Sequence, residues 1–129
     1  MDAERARAVL LSLPHVAETQ QWGDNLVFWI ADKTCGGKMF ALIDLSPKAG
    51  TVGPVMSFAA TLEHQVELLE RDGLLPAPYL ARAGWVAARR WDALRGPEWI
   101  EELKLANEVV WAKLPARVRA RLLSPLAVP

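Results

Sequence analysis

Apolar residues recur at three- and four-residue spacing at the start of the chain, at Ala6, Val9, Leu10 and Leu13. Glu4, Arg5 and Arg7 lie off that stripe and the pattern stops before Pro14, which predicts an amphipathic helix over residues 2–13. After the turn-like Trp22-Gly23-Asp24-Asn25, the spacing gives way to a continuous apolar run, 26–31, rich in β-branched and aromatic residues. Bounded by Asp32-Lys33-Thr34-Cys35-Gly36-Gly37, it predicts a strand and a loop. A second run over 38–45 completes an antiparallel hairpin. Ser46-Pro47-Lys48-Ala49-Gly50 turns the chain into a third strand over 51–58, where Gly53-Pro54 removes a ladder donor and predicts an edge position or a bulge.

Thr61 is placed to cap a helix over 62–71, with Glu63 in its first turn and Leu62, Val66 and Leu69 as its stripe, ending at Asp72-Gly73. The prolines in 74–79 predict a structured loop, and 85–91 a last strand. Pro97 suits the first position of a long helix carrying Trp99, Leu103, Ala106, Val110 and Leu114 on one stripe. Pro115 separates it from a short basic helix over 116–123, with 124–129 as a tail. The order predicts one domain over 1–123 with an α+β fold: an antiparallel sheet with helices packed on one face. Both strand faces are apolar, so a homodimer covering the second face is a further expectation.

At 129 residues the chain matches one ordinary domain, and with 52% hydrophobic and 23% charged residues it has the makings of a packed core rather than of disorder. The apolar runs 26–31 and 39–43 fall well short of a membrane span, the first residues mix acids with bases, and the one cysteine, Cys35, can form no internal disulfide. A cytoplasmic location is expected. Lys and Arg together number 15, as do Asp and Glu, so no global positive field exists. The distribution is uneven: residues 1–77 carry about −4 and residues 78–129 about +4, so an anionic partner is expected at the C-terminal part.

Leu11-Ser12-Leu13-Pro14, Gly36-Gly37-Lys38-Met39-Phe40-Ala41, Pro76-Ala77-Pro78-Tyr79-Leu80 before an isolated Trp85, and Ala112-Lys113-Leu114-Pro115 occur in an order and spacing that resembles the MmcQ/YjbR family over nearly the whole chain. The resemblance implies a CyaY-like α+β fold and DNA binding through a double-wing arrangement, with no enzyme activity and no cofactor. The chain departs from the family pattern at Ala59-Ala60, Ala83-Gly84, Ala106-Asn107 and Ala116-Arg117, several of which replace polar or basic residues.

The candidate nucleic-acid contacts are Lys38, Arg82, Arg89, Arg90, Lys113, Arg117, Arg119 and Arg121, because guanidinium forks and ammonium groups match phosphate oxygens. Ordinary solvated charge, balanced by Glu98, Glu101, Glu102 and Glu108, is the competing account. Trp29, Trp85 and Trp91 are the candidates for stacking on bases, Trp85 and Trp91 foremost, against core packing; Trp22, Trp99 and Trp111 fall on apolar patterns and are expected in the core. Gly36-Gly37-Lys38 lacks the spacing of a phosphate loop and is followed by Met39. His15 and His64 have no ligand-spaced neighbours and are expected at the surface, and Asp2 and Glu4 are too few for an iron site. No nucleophile with its base, carboxylate pair or metal cluster is visible, so a non-enzymatic binding protein is expected, either for DNA or as a protein-interaction or small-ligand module.

Overall fold

The computed structural model describes residues 1–45 and 54–124. Its elements in chain order are α1 (Ala3–Ser12), β1 (Val16–Gln21), β2 (Asn25–Ile30), β3 (Lys38–Asp44), β4 (Met56–Phe58), α2 (Leu62–Leu68), β5 (Leu74–Pro76), β6 (Val86–Ala88), α3 (Gly96–Lys113) and α4 (Ala116–Leu123). The strands form one antiparallel sheet in the order β1-β2-β3-β4-β6-β5. The fold is the expected α+β arrangement, with α1 and α3 packed on one face.

Register explains which face that is. Leu26 opposes Ile43, which opposes Met56, then Ala88 and Leu74; Phe28 opposes Ala41, then Phe58 and Val86. These rows meet Trp99, Leu103, Ala106 and Val110 of α3, and Ala6 and Leu10 of α1, in a single core. Phe58 and Trp99 pack edge to face with centroids 5.9 Å apart, and the Trp99 indole N–H donates to the Trp91 carbonyl at 2.8 Å. The opposite face carries Val27, Leu42, Ser57, Ala87 and Leu75 in one row and Trp29 with Met39 in another. Val27, Ser57 and Ala87 are buried within the single chain, and so is Trp29, whose indole N–H reaches Thr19 Oγ1 at 2.8 Å. Met39, Leu42 and Leu75 on the same face stay partly exposed.

Several expectations are corrected. Residues 16–21, left unassigned by pattern, form the edge strand β1, and the loop expected over 74–79 contains the other edge strand, β5. The expected third strand starts later and lies inside the sheet: Pro54 precedes the ladder, which opens where the Val55 N–H donates to Ala88 O at 2.8 Å. Thr51 and Gly53, the turn at 46–50 and the tail beyond Ser124 lie outside the described residues. The last strand is only Val86–Ala88, with Trp91 in a following 3-10 turn. On α2 the expected stripe is only partly inward: Leu62 and Val66 are exposed, Leu69 is partly buried against the core, and Leu68 is the buried residue. Trp22, expected in the core, is 64% exposed.

Candidate nucleic-acid interface

Three segments bring cations to one end of the sheet. In the β2–β3 connection, Asp32 accepts the Thr34 N–H at 2.9 Å, and Gly37 runs so close to β2 that an added Cβ would lie 2.1 Å from Ala31 O. Only glycine permits that approach, and it delivers Lys38 exposed at the start of β3. In the second segment, the Gln65 amide of α2 donates to Ala81 O at 2.9 Å and Trp85 O at 3.0 Å, holding the 3-10 turn Ala81–Ala83 that displays Arg82. Gly84 closes that turn at φ +95°, where a Cβ would meet Ala60 O at 2.4 Å. The last turn of α3 supplies Lys113.

These residues line adjoining depressions. One of about 520 Å³ lies among Thr61, Leu62, Glu63, Arg82, Val109 and Lys113. The next, about 430 Å³, shares Lys113 and Ala83 with it and adds Lys38, Trp22, Trp29, Trp85 and Val110. A third, about 580 Å³ and mostly apolar, shares Trp22 and Met39 and continues along the outer sheet face to Leu42, Ser57, Pro78, Tyr79 and Leu80. Among the described residues, Lys38, Arg82 and Lys113 form no ion pair.

Trp22 and Tyr79 stand out along this trough. Both are exposed, Tyr79 completely, and both hold positive φ, +52° and +64°, a region that costs a bulky side chain about 1–2 kcal/mol. The Asn25 amide, donating to Trp22 O at 2.8 Å, fixes the first. Trp85, by contrast, is 5% exposed, and Trp91 is half-buried against Trp99 with centroids 5.5 Å apart. Trp29 is buried as well, so the exposure that stacking needs falls on Trp22 and Tyr79 rather than on the tryptophans singled out by pattern. An aromatic inside the turn 22–25, and another directly after Pro78, were the signals available.

The other basic candidates lie elsewhere. Arg90 is held by Asp72 and Asp92, each at 2.7 Å, and the Asp72 hydrogen bond and the charge of both carboxylates raise its pKa. Arg89 is exposed beside it, with its backbone N–H on Gly73 O. Arg117 and Arg121 are exposed on α4, whereas Arg119 is half-buried. Of the basic C-terminal candidates, Lys113 and Arg82 join Lys38 in lining the trough, whereas Arg89, Arg90, Arg117, Arg119 and Arg121 do not line it. His15 is exposed and stacks on Trp111 with centroids 5.3 Å apart; His64 is partly buried against Glu102.

The YjbR family model matches residues 11–113. The chain belongs to the YjbR family. Its fold is similar to the crystal structure of the Deinococcus radiodurans protein DR2400, a DUF419 domain, with a TM-score of 0.79 and 22% identity over 96% of this chain and 89% of that one. No curated protein matches. In this YjbR-family chain the trough joins the β2–β3 loop, the turn before β6 and the end of α3, all within the matched residues. Among the described residues, no helix is long and apolar enough to cross a membrane.

Proposed function

We propose that the protein is a non-enzymatic nucleic-acid-binding module that takes a short single-stranded segment in the trough. The observation that carries this is the alignment of Lys38, Arg82 and Lys113 with the exposed rings of Trp22 and Tyr79 along adjoining depressions. Cations track the phosphates, and the rings offer faces on which unstacked bases rest. A duplex hides its base faces in its own stack, so exposed rings favour a single strand. Net neutrality suits a local contact of few charges rather than wrapping by a global field.

The test is a fluorescence-anisotropy titration of labelled single-stranded and duplex DNA at low and physiological salt. Neutralising three phosphates gives a salt slope of roughly −2 in log K against log salt for a single strand. Removing one stacking ring, by Trp22→Ala, weakens binding roughly five- to hundred-fold, from about 1–3 kcal/mol per stacked base. Lys38→Ala/Lys113→Ala flattens the salt slope. Absence of binding at low salt, or binding that these variants leave unchanged, refutes the proposal and directs attention to a small apolar ligand in the depression between Trp22 and Tyr79.

A further inference from the structure

Two short helices present matching outer faces that no part of the fold covers. On α2, Leu62 and Val66 are 59% and 65% exposed, and Glu63 and Glu67 form a parallel row one position further on, also exposed, which Glu70 extends in the turn after the helix. On α4, Val118 is buried toward the core, so the helix turns outward Ala116, Ala120 and Leu123, the last 66% exposed. Arg117 and Arg121 again stand one position after that apolar row, both exposed. In each helix the charged row is displaced from the apolar row by about 100° in the same rotational sense. When two such helices face each other antiparallel, both charged rows fall on the same side of the contact; parallel packing would put them on opposite sides. The acids of α2 and the arginines of α4 are then opposite each other along an apolar seam, the arrangement by which charged flanks select partners in paired helices.

We infer that a second copy of this chain docks here, α2 of each protomer against α4 of the other, in an antiparallel, two-fold arrangement. The contact is isologous overall although each half joins unlike helices, so it closes at two protomers. Its occupant follows from the complementarity of the two rows and from the uneven charge of the chain, about −4 in residues 1–77 and +4 in residues 78–129. About two turns of helix on each side, made twice, give an interface near or below about 1,200 Å², the range of weak and transient associations. The dimer is accordingly concentration-dependent and weakened by salt. It also gives a role to Arg117 and Arg121, which do not line the trough, and because Leu62 and Glu63 border the depression of about 520 Å³, the dimer covers that end of it.

Sedimentation equilibrium of the full chain, from micromolar to near-millimolar concentration at low and high salt, tests it. The average mass should climb toward twice the monomer at low salt, and less at high salt. Glu67→Arg/Glu70→Arg and Arg117→Glu/Arg121→Glu should each remain monomeric, and mixing the two should restore a complex of one of each, because reversal on both sides re-creates the pairing. Leu62→Ser/Val66→Ser, at exposed positions that leave the core intact, should also remain monomeric. A wild-type chain that is monomeric at every concentration overturns the inference, as does a dimer that survives either reversal or a pair of reversed variants that fails to associate.

Discussion

His64 Nε2 lies 2.7 Å from Glu102 Oε2 and ties α2 to the middle of α3, with Glu67 3.4 Å from the other ring nitrogen. Burial pulls the His64 pKa down, but hydrogen bonding to and the charge of Glu102, with the same from Glu67, outweigh it, and the net shift is upward from 6.5. A raised folded pKa means that the contribution to stability is complete below the unfolded value and fades as pH rises through the folded one. His64→Ala should therefore cost about 1 kcal/mol near pH 6 and distinctly less near pH 9. Urea unfolding of both proteins at the two pH values checks this, and an equal cost at both would remove the ion pair from the account.

A second ion pair, between the turn after α2 and the first turn of α3, responds to acid. Glu98 accepts from Arg71 at 2.6 Å and from the Arg95 N–H at 3.0 Å, and these partners hold its carboxyl at about 2 against an ordinary 4.5. The sign is opposite to that of His64: the contribution is present above about pH 4.5 and is lost as pH falls toward 2. Glu98→Gln should lower the midpoint of unfolding at neutral pH and converge with the wild type near pH 2. Thermal unfolding across pH 2–7 gives both curves.

Gly84 sets up the wall of the trough, and its replacement separates strain from function. At φ +95°, with Ala60 O 2.4 Å from a would-be Cβ, neither the backbone nor the space admits alanine. Gly84→Ala should cost on the order of 2 kcal/mol or more, from the left-handed conformation and the clash together. Gly23→Ala, with positive φ but nothing within 4 Å, should cost about half as much. Comparing the two by chemical denaturation isolates the contribution of the close approach.

Legibility of the sequence depended on how the physics of each segment was shared. The stripe Trp99, Leu103, Ala106, Val110 was readable because one buried face dictates its period, and the run from Leu26 to Ile30 because burial on both faces makes it continuously apolar. β1 was invisible because Val16-Ala17-Glu18-Thr19-Gln20-Gln21 is an edge strand held by partners that pattern cannot supply: the bidentate Arg7–Glu18 pair at 2.6 and 3.0 Å and the Trp29–Thr19 hydrogen bond. The prolines of 74–79 exclude regular helix and predict a loop, yet Pro76 fits a strand at the sheet edge, where its missing donor is harmless. The trough was the least legible feature. Lys38, Arg82 and Lys113 are far apart in sequence and meet only because Gly37, Gly84 and Gln65 place their segments, while the two exposed rings sit in turns where helical and strand periods say nothing.

Tyr79 offers the sharpest separation of binding from folding. Its ring is fully exposed and lines the apolar depression, while its backbone, at φ +64° after Pro78, is strained. Strain of about 1–2 kcal/mol at a residue with no buried packing adds nothing to stability, so loss of the ring separates a binding effect from a folding one. Tyr79→Gly relieves the left-handed conformation and gives back about 0.5–1 kcal/mol in chain entropy, so stability should change by less than about 1 kcal/mol in either direction. The same variant removes one ring face, and affinity for a single strand should fall by roughly five-fold or more. Denaturation and anisotropy on one preparation decide the matter: a stability loss of several kcal/mol would mean that the ring packs the fold, and unchanged affinity would take Tyr79 out of the binding surface.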